Sequence, residues 1–202
     1  MEKLDREFYQ YDAVKTAEKL IGKILVHKTP FGLLKGRIVE TEAYRGPFDK
    51  AAHSYNNKGK DTRTAVQYKE GGYAYVYLIY GMYYCFNITT APNDCPECVL
   101  VRALEPVEGI EIMKKLRKTD NIKNLCSGPG KLCMAMGIDK TLYGKDLCSD
   151  DFYLETDGDL SEEMIEKSKR INIDYAEEAV DFLWRFTLKD SKYVSVKPKN
   201  KR

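Results

Sequence analysis

Hydrophobic and polar positions repeat with two different periods in the first quarter of the chain. Residues 11–22 (YDAVKTAEKLIG) place apolar side chains at helical spacing and predict a short amphipathic helix, with Asp12 as its N-cap and Gly22 as its stop. Residues 23–29 (KILVHKT) and 33–44 (LLKGRIVETEAY) predict two strands that are joined at PFG.

The rest of the chain predicts further strands and short helices. In order, we expect a loop over 46–65, a hairpin over 73–87 that turns near YGM, a strand over 98–106, a helix within 107–118, a turn that becomes a helix over 127–138, and short strands with one helix around 174–182. Strands that cluster early and in pairs favour an α+β fold with an antiparallel sheet over a doubly wound parallel one.

The hairpin segment YAYVYLIYGMYYCFN contains six tyrosines. Tyr73, Tyr75 and Tyr77 alternate with small or aliphatic residues, so they share one face of a strand. An aromatic face of this kind stacks on nucleobases, at about 1–3 kcal/mol per base. A tyrosine-rich sheet packed under a helix is an equally good interpretation of this segment alone. Tyr80 falls out of phase immediately before Gly81, so we expect it to project from a turn.

Composition limits the class of protein. The chain has 202 residues, of which 43% are hydrophobic and 32% charged, with a net charge of +2. These values are typical of a soluble globular protein, and we expect one domain over residues 1–202, with a frayed basic end at 196–202. No apolar run is long enough to span a bilayer and the N-terminus does not resemble a signal peptide. We therefore expect a cytoplasmic location.

The six cysteines are expected to be reduced in that compartment. Cys95 and Cys98, in CPEC, match one half of a zinc site. Cys126 and Cys133 are spaced too widely to supply the usual second half. Buried thiols or a loop dithiol are therefore favoured over a metal site.

The strand over residues 33–44 ends in residues that could carry chemistry. Glu40, Glu42 and Tyr44 point to one face, and His53 follows after a loop. A glutamate at a strand end is commonly a surface residue, and a lone histidine is more often structural. An acid, an aromatic ring and an imidazole are nevertheless sufficient to activate water beside a stacked base. A carboxylate also stabilises the oxocarbenium-like sugar that forms when a glycosidic bond breaks.

Five motifs in order along the chain resemble one family. GRIVETEAY, AAHS, YVYLIYGMYYCFNI, VLVRALEP and CSGPGKLCMAMGI are similar to the alkyladenine (3-methyladenine) DNA glycosylases of base-excision repair. The resemblance covers about residues 5–195. It implies a single α+β domain with a curved, mainly antiparallel sheet, surrounding helices and a protruding tyrosine-bearing β-hairpin.

The resemblance also implies an activity. Enzymes of this family flip alkylated or deaminated purines out of duplex DNA and hydrolyse the N-glycosidic bond, which leaves an abasic site. We therefore expect a monofunctional hydrolase that acts on double-stranded DNA, in the nucleoid of a prokaryote or the nucleus of a eukaryote, and needs no metal or organic cofactor. A monomer is the default expectation. Glu42 would be its general base, and Arg102 would position Glu42 or the neighbouring sugar-phosphate.

The remaining site residues follow from the same resemblance. Tyr44 and Tyr77 would sandwich the flipped base, and His53 would complete the pocket. Asn87 would disfavour guanine by lying against its exocyclic amino group. Tyr80 would be the wedge that enters the minor groove and fills the gap left in the base stack.

The loop after His53 departs from the family pattern. Relatives usually carry Thr-Pro-Arg there, whereas this chain has KDTRTAVQY, in which Asp61 and Thr62 replace the usual pair and Gln67 stands where methionine is common. The path of DNA along this loop and the lesion preference are therefore left open. The candidate contacts to the DNA backbone are Lys58, Lys60, Arg63 and Lys131.

Two other classes of function compete with a DNA glycosylase. A non-catalytic module that binds damaged DNA could keep the fold and the stacking tyrosines. The presence of Glu42 argues against this class, because such a module needs no general base. A hydrolase of free nucleosides could keep the pocket, but it would need neither a basic loop nor the projecting Tyr80. Residues 157–182 match the family least, and their sequence predicts no function.

Overall fold

The computed structural model describes residues 1–60 and 62–198, so Asp61 and the end of the basic tail lie outside it. Within these ranges the chain forms nine strands and three α-helices. The strands are β1 Glu2–Lys3, β2 Ile24–Thr29, β3 Gly32–Arg45, β4 Ala74–Ile79, β5 Tyr83–Thr90, β6 Glu97–Glu108, β7 Phe152–Thr156, β8 Ile165–Ser168 and β9 Arg185–Leu188. The helices are α1 Ala13–Leu20, α2 Ile110–Arg117 and α3 Pro129–Met136.

All nine strands join one sheet in which neighbouring strands are antiparallel. The main order is β1-β7-β2-β3-β6-β5-β4, and β9 adds to β3 with β8 beside it. The long strand β3 pairs with β6 through several register shifts, at Lys35/Gly36, Ile38/Glu40 and Glu40/Thr41. Irregularities of this kind bend a strand and increase its twist, so β3 can pair with β2, β6 and β9 along its length. The predicted α+β fold with a curved antiparallel sheet is confirmed.

Helix α1 covers one face of the sheet. Asp12 caps its N-terminus, where the Asp12 side chain accepts hydrogen bonds from the amides of Val14 (2.9 Å) and Lys15 (3.0 Å). The helix buries Ala13, Ala17 and Leu20 in the main hydrophobic core. Burying a leucine-sized side chain contributes roughly 1.5–3 kcal/mol, so this amphipathic face anchors the helix on the sheet.

Two elements differ from the sequence prediction. Strand β6 continues past Pro106 to Glu108, and α2 begins only at Ile110. Proline is accepted there because Pro106 lies opposite Gly36 at an irregularity of the ladder. The helix expected around residues 174–182 is a short 3₁₀ turn, Glu177–Asp181, because Glu177 has a left-handed φ of 48° that interrupts an α-helix.

The predicted tyrosine hairpin is present as β4 and β5. Its tip is closed by a hydrogen bond from the Met82 amide to the Ile79 carbonyl (3.2 Å), and Tyr80 and Gly81 both have positive φ, 54° and 68°. Two consecutive positive φ angles are those of a type I′ turn, which matches the twist of the two strands. Tyr80 is thereby lifted off the sheet, with 78% of its surface exposed.

Among the residues that the structure describes, no helix is long and apolar enough to cross a membrane.

Candidate active site

A cavity of about 620 Å³ opens beside the tyrosine hairpin. Its walls include residues of β3, β4, β5 and β6, the start of α3, and the segment 171–175. The cavity brings together seven of the predicted site residues, namely Tyr44, His53, Tyr77, Tyr80, Asn87, Arg102 and Lys131.

Glu42 is fully buried, and its carboxylate is bonded to three residues that line the cavity. Its Oε2 atom accepts hydrogen bonds from the Tyr44 hydroxyl (2.9 Å) and from Nη1 of Arg102 (3.2 Å). Its Oε1 atom accepts one from the amide of Ile171 (2.7 Å). With the Ile171 amide as its donor, Oε1 still has lone-pair capacity for a further donor such as water.

Arg102 connects the two glutamates of β3. Its Nε atom donates to Glu40 (3.0 Å) while Nη1 donates to Glu42 (3.2 Å). The sequence left Glu40 as a candidate surface residue, but in the structure it is completely buried. This burial is tolerated because Arg102 on β6 and Arg185 on β9 supply opposite charges.

Two aromatic walls face the cavity. Tyr44 is held by its bond to Glu42, and burial and then the charge of Glu42 raise its pKa well above 10.0. Burial likewise raises the pKa of Tyr77. Both phenols therefore stay protonated and uncharged, which suits contact with a flat, cationic or neutral ring.

His53 packs edge-on against Tyr77, with 4.7 Å between ring centroids, and its Nδ1 shares a hydrogen bond of 2.8 Å with the Tyr75 hydroxyl. Desolvation, followed by the charge of Arg63, lowers the pKa of His53 from 6.5. The imidazole is therefore neutral at pH 7, and Nε2 remains as its second hydrogen-bonding atom.

Asn87 lies in the floor of the cavity and is almost fully buried. Its Nδ2 atom donates to the Tyr75 carbonyl (3.1 Å), which fixes the plane of the amide. A buried, oriented amide discriminates strongly between ligands, because a polar group left without a partner there costs about 1–3 kcal/mol.

The predicted backbone contacts lie in different surroundings. Lys131 lines the cavity and donates to Asn124 (2.5 Å). Arg63 lies 6.0 Å from the Tyr77 ring centroid. Lys58 and Lys60 are exposed on the loop, where Lys60 forms an ion pair with Asp94 (2.8 Å).

One tyrosine of the predicted stacking face does not reach the cavity. The ring of Tyr73 lies between Arg6 (4.7 Å) and Lys69 (5.0 Å), and its backbone forms a β-bridge with Asp146. Tyr73 still packs with Tyr75 and Tyr77 around Val66 and Cys98, so the predicted shared face is confirmed, but its ring lies outside the cavity lining.

The segment 169–182, for which the sequence predicted no function, forms one wall of the cavity. Besides the Ile171 amide on Glu42, it contributes Asn172, Ile173 and Tyr175 to the lining. Arg170 anchors this wall through a fully buried ion pair with Asp49, and its guanidinium lies 4.8 Å from the Tyr44 ring. A buried arginine of this kind leaves no periodic pattern in the sequence, so no local signal could have identified it.

The cysteines are unpaired thiols in the described part of the chain, with Cys95 exposed and Cys98 buried. No group of three or more His, Cys, Asp or Glu side chains in residues 1–60 and 62–198 is arranged to hold a metal ion.

A buried, arginine-paired carboxylate next to an aromatic cavity, with an exposed tyrosine in the cavity lining, suits an enzyme that hydrolyses the glycosidic bond of an extruded base. Comparison with known proteins indicates the same class of enzyme. The model of the methylpurine-DNA glycosylase family matches residues 7–192, and the chain belongs to that family. The recognition made from the five sequence motifs is thus confirmed.

Bacterial relatives match over their full lengths. A protein of Clostridium novyi (strain NT) is 52% identical over 98% of this chain and 100% of its own length. One of Alkaliphilus oremlandii (strain OhILAs) is 50% identical, over 96% of this chain and 100% of its own length. Both bear the name "Putative 3-methyladenine DNA glycosylase".

Proposed function

We propose that this protein flips alkylated or deaminated purines out of duplex DNA and hydrolyses the N-glycosidic bond, leaving an abasic site. The observation that carries the proposal is the buried Glu42 carboxylate, which is held by Tyr44, Arg102 and the Ile171 amide, three residues that line an aromatic cavity. Family membership and the names of the relatives support a damaged purine as the substrate.

Glu42 is the general base of the proposed reaction. A water bound at Oε1 attacks C1′ of the deoxyribose, Glu42 accepts its proton, and the electron pair of the glycosidic bond leaves with the base. The negative charge of Glu42 also stabilises the oxocarbenium-like transition state. A cationic base such as 3-methyladenine leaves as a neutral molecule, whereas hypoxanthine needs a proton and therefore depends more on the pocket.

The cavity accommodates the flipped base. Its volume of about 620 Å³ lies within the range of roughly 300–1,000 Å³ that is usual for small-ligand sites. Tyr44 and Tyr77 stack on the base, neutral His53 and the oriented amide of Asn87 read its edge, and Asn87 disfavours the amino group of guanine.

The partner is double-stranded DNA. Tyr80 projects from the hairpin tip, where it fills the space that the flipped base leaves. Lys58, Lys60, Arg63 and Lys131 contact phosphates near the cavity. Residues 1–202 act together as one glycosylase domain, which is supported by the single sheet and by the family match over residues 7–192.

The first test is single-turnover base release by wild type and Glu42→Gln from duplex oligonucleotides that contain 3-methyladenine or hypoxanthine. Removing the general base should slow release by about 10²–10⁴-fold. Glu42→Gln should still bind lesion DNA, because the stacking walls are unchanged. Glu163→Gln, at an exposed position, is the matched control and should release base at the wild-type rate. A near-normal rate for Glu42→Gln would show that Glu42 is not the base.

The same assay separates the competing functions. Release from the lesion in a duplex but not from the same modified nucleoside is expected of an enzyme with a wedge. Equal turnover of the nucleoside would indicate a nucleoside hydrolase. Lesion binding without any release by wild type would indicate a damage-binding module.

A further inference from the structure

Glu40, the second buried glutamate of β3, has an unusually complete set of partners. Its Oε1 atom accepts from Nε of Arg102 (3.0 Å), Nε of Arg185 (2.9 Å) and the hydroxyl of Ser195 (2.9 Å). Its Oε2 atom accepts from the Ser195 amide (2.6 Å). The proposed mechanism assigns no step to Glu40, although Glu40 lies two residues before Glu42 on β3 and shares Arg102 with it.

The shape of a guanidinium turns this shared contact into a constraint. The nitrogens of arginine are fixed in one plane, so a bond at Nε determines where the Nη atoms point. Because Glu40 holds Nε of Arg102, Nη1 is directed at Oε2 of Glu42. The flexible stem of Arg102 alone would leave several other orientations open.

Ser195 fixes Glu40 in turn. Its amide and hydroxyl bind both oxygens of the same carboxylate, so the carboxylate plane is set by one residue of the C-terminal segment. Arg185 ties the same segment to β9 by donating to the Val196 carbonyl. Ser195 lies 155 residues from Glu40 in sequence, so this contact forms only in the folded chain.

The charges of the cluster balance. Glu40 and Glu42 on β3 face Arg102 on β6 and Arg185 on β9, two carboxylates against two guanidinium groups. Removing the charge of Glu40 would leave two buried cations around one carboxylate. Arg102 would then no longer be shared, and its position relative to Glu42 would change.

We propose that Glu40 and Ser195 are positioning residues, through which the C-terminal segment orients Arg102 and hence the general base. This inference rests on the proposed function, because it assigns the network to the hydrolytic step. The alternative is a network that only stabilises the fold. The two differ in what a substitution changes: a positioning role lowers the rate of base release at unchanged lesion binding, whereas a structural role lowers folding stability and DNA binding together.

The experiment compares Ser195→Ala, Ser195→Thr and Glu40→Gln in the full chain. Single-turnover release from a 3-methyladenine duplex, affinity for a duplex with a stable abasic analogue, and the thermal midpoint are measured for each. Ser195→Ala should slow release about tenfold, because one hydrogen bond to a charged group is lost, and Ser195→Thr should recover most of the rate. Glu40→Gln should slow release more than Ser195→Ala. Affinity should stay within about twofold in all three.

Ser191→Ala is the matched control. Ser191 belongs to the same C-terminal segment, but its hydroxyl accepts from the Tyr193 amide (3.2 Å) rather than bonding Glu40 as Ser195 does, so its variant should release base at the wild-type rate. Wild-type rates in both Ser195→Ala and Glu40→Gln would overturn the positioning role, as would a loss of affinity and thermal midpoint that parallels the loss of rate. Either result leaves the proposed function standing, since wild type and Glu42→Gln test that function separately.

Discussion

Tyr80 occupies a position that folding stability does not require. Its ring is 78% exposed, and its backbone has a positive φ, which is unfavourable for a bulky residue. Strain that serves no packing purpose is commonly found where a side chain has a function. The geometry at this residue therefore agrees with a wedge that becomes buried only when DNA is bound.

Substituting Tyr80 separates base flipping from DNA binding. Tyr80→Ala should weaken the fluorescence change of a duplex that contains ethenoadenine, because nothing then fills the gap in the stack. Binding of undamaged duplex should change little, and the free energy of unfolding should stay within about 0.5 kcal/mol. Phe31→Ala, at another exposed aromatic side chain, is the control. An unchanged ethenoadenine signal in Tyr80→Ala would rule out the wedge.

The sequence predicts the roles and surroundings of individual residues only in part. The spacing of Glu40 and Glu42 correctly predicts a common face of β3. It could not predict that both are buried, because the partners that allow burial lie 62 and 145 residues from Glu40 in sequence, in Arg102 and Arg185. A buried carboxylate is tolerated only with such counter-charges, and long-range charge pairs leave no local pattern.

At the scale of elements, the wall segment 169–182 is the part of the site that the sequence did not predict. It has little regular structure, and it is held by contacts to distant residues such as Arg170 with Asp49 and Lys50 with Glu177. The strands β3 to β6, in contrast, followed from period-two alternation and turn residues. Periodicity predicts elements that bury one face, and it cannot predict a loop whose position is set by buried charges.

Arg170 tests the role of that wall. Arg170→Met removes one partner of a fully buried ion pair and should lower the free energy of unfolding by about 3–5 kcal/mol in urea denaturation. It should also slow base release, because the neighbouring Ile171 amide holds Glu42. The double variant Arg170→Met/Asp49→Asn should be more stable than Arg170→Met, since no unpaired charge remains buried. A single variant as stable as wild type would contradict this account.

At the scale of the whole molecule, the proposed catalytic centre depends on strands that are distant in sequence. β3 provides Glu42, β6 provides Arg102, and the segments after β8 and β9 provide the Ile171 amide and Ser195. The curved sheet brings these elements together on one side of the tyrosine hairpin. The fold class was therefore predictable from strand pairs and turns, whereas the complete site required the three-dimensional arrangement.

We propose above all that this molecule is a monofunctional glycosylase with Glu42 as its general base. The most direct measurement follows duplex oligonucleotides that carry 3-methyladenine, hypoxanthine or no lesion through a single turnover, each analysed with and without hot alkali. We expect strand cleavage only after alkali, only with a lesion and only when Glu42 is present. Cleavage without alkali would contradict this proposal and would point to an amine such as that of Lys131, a lysine in the cavity lining.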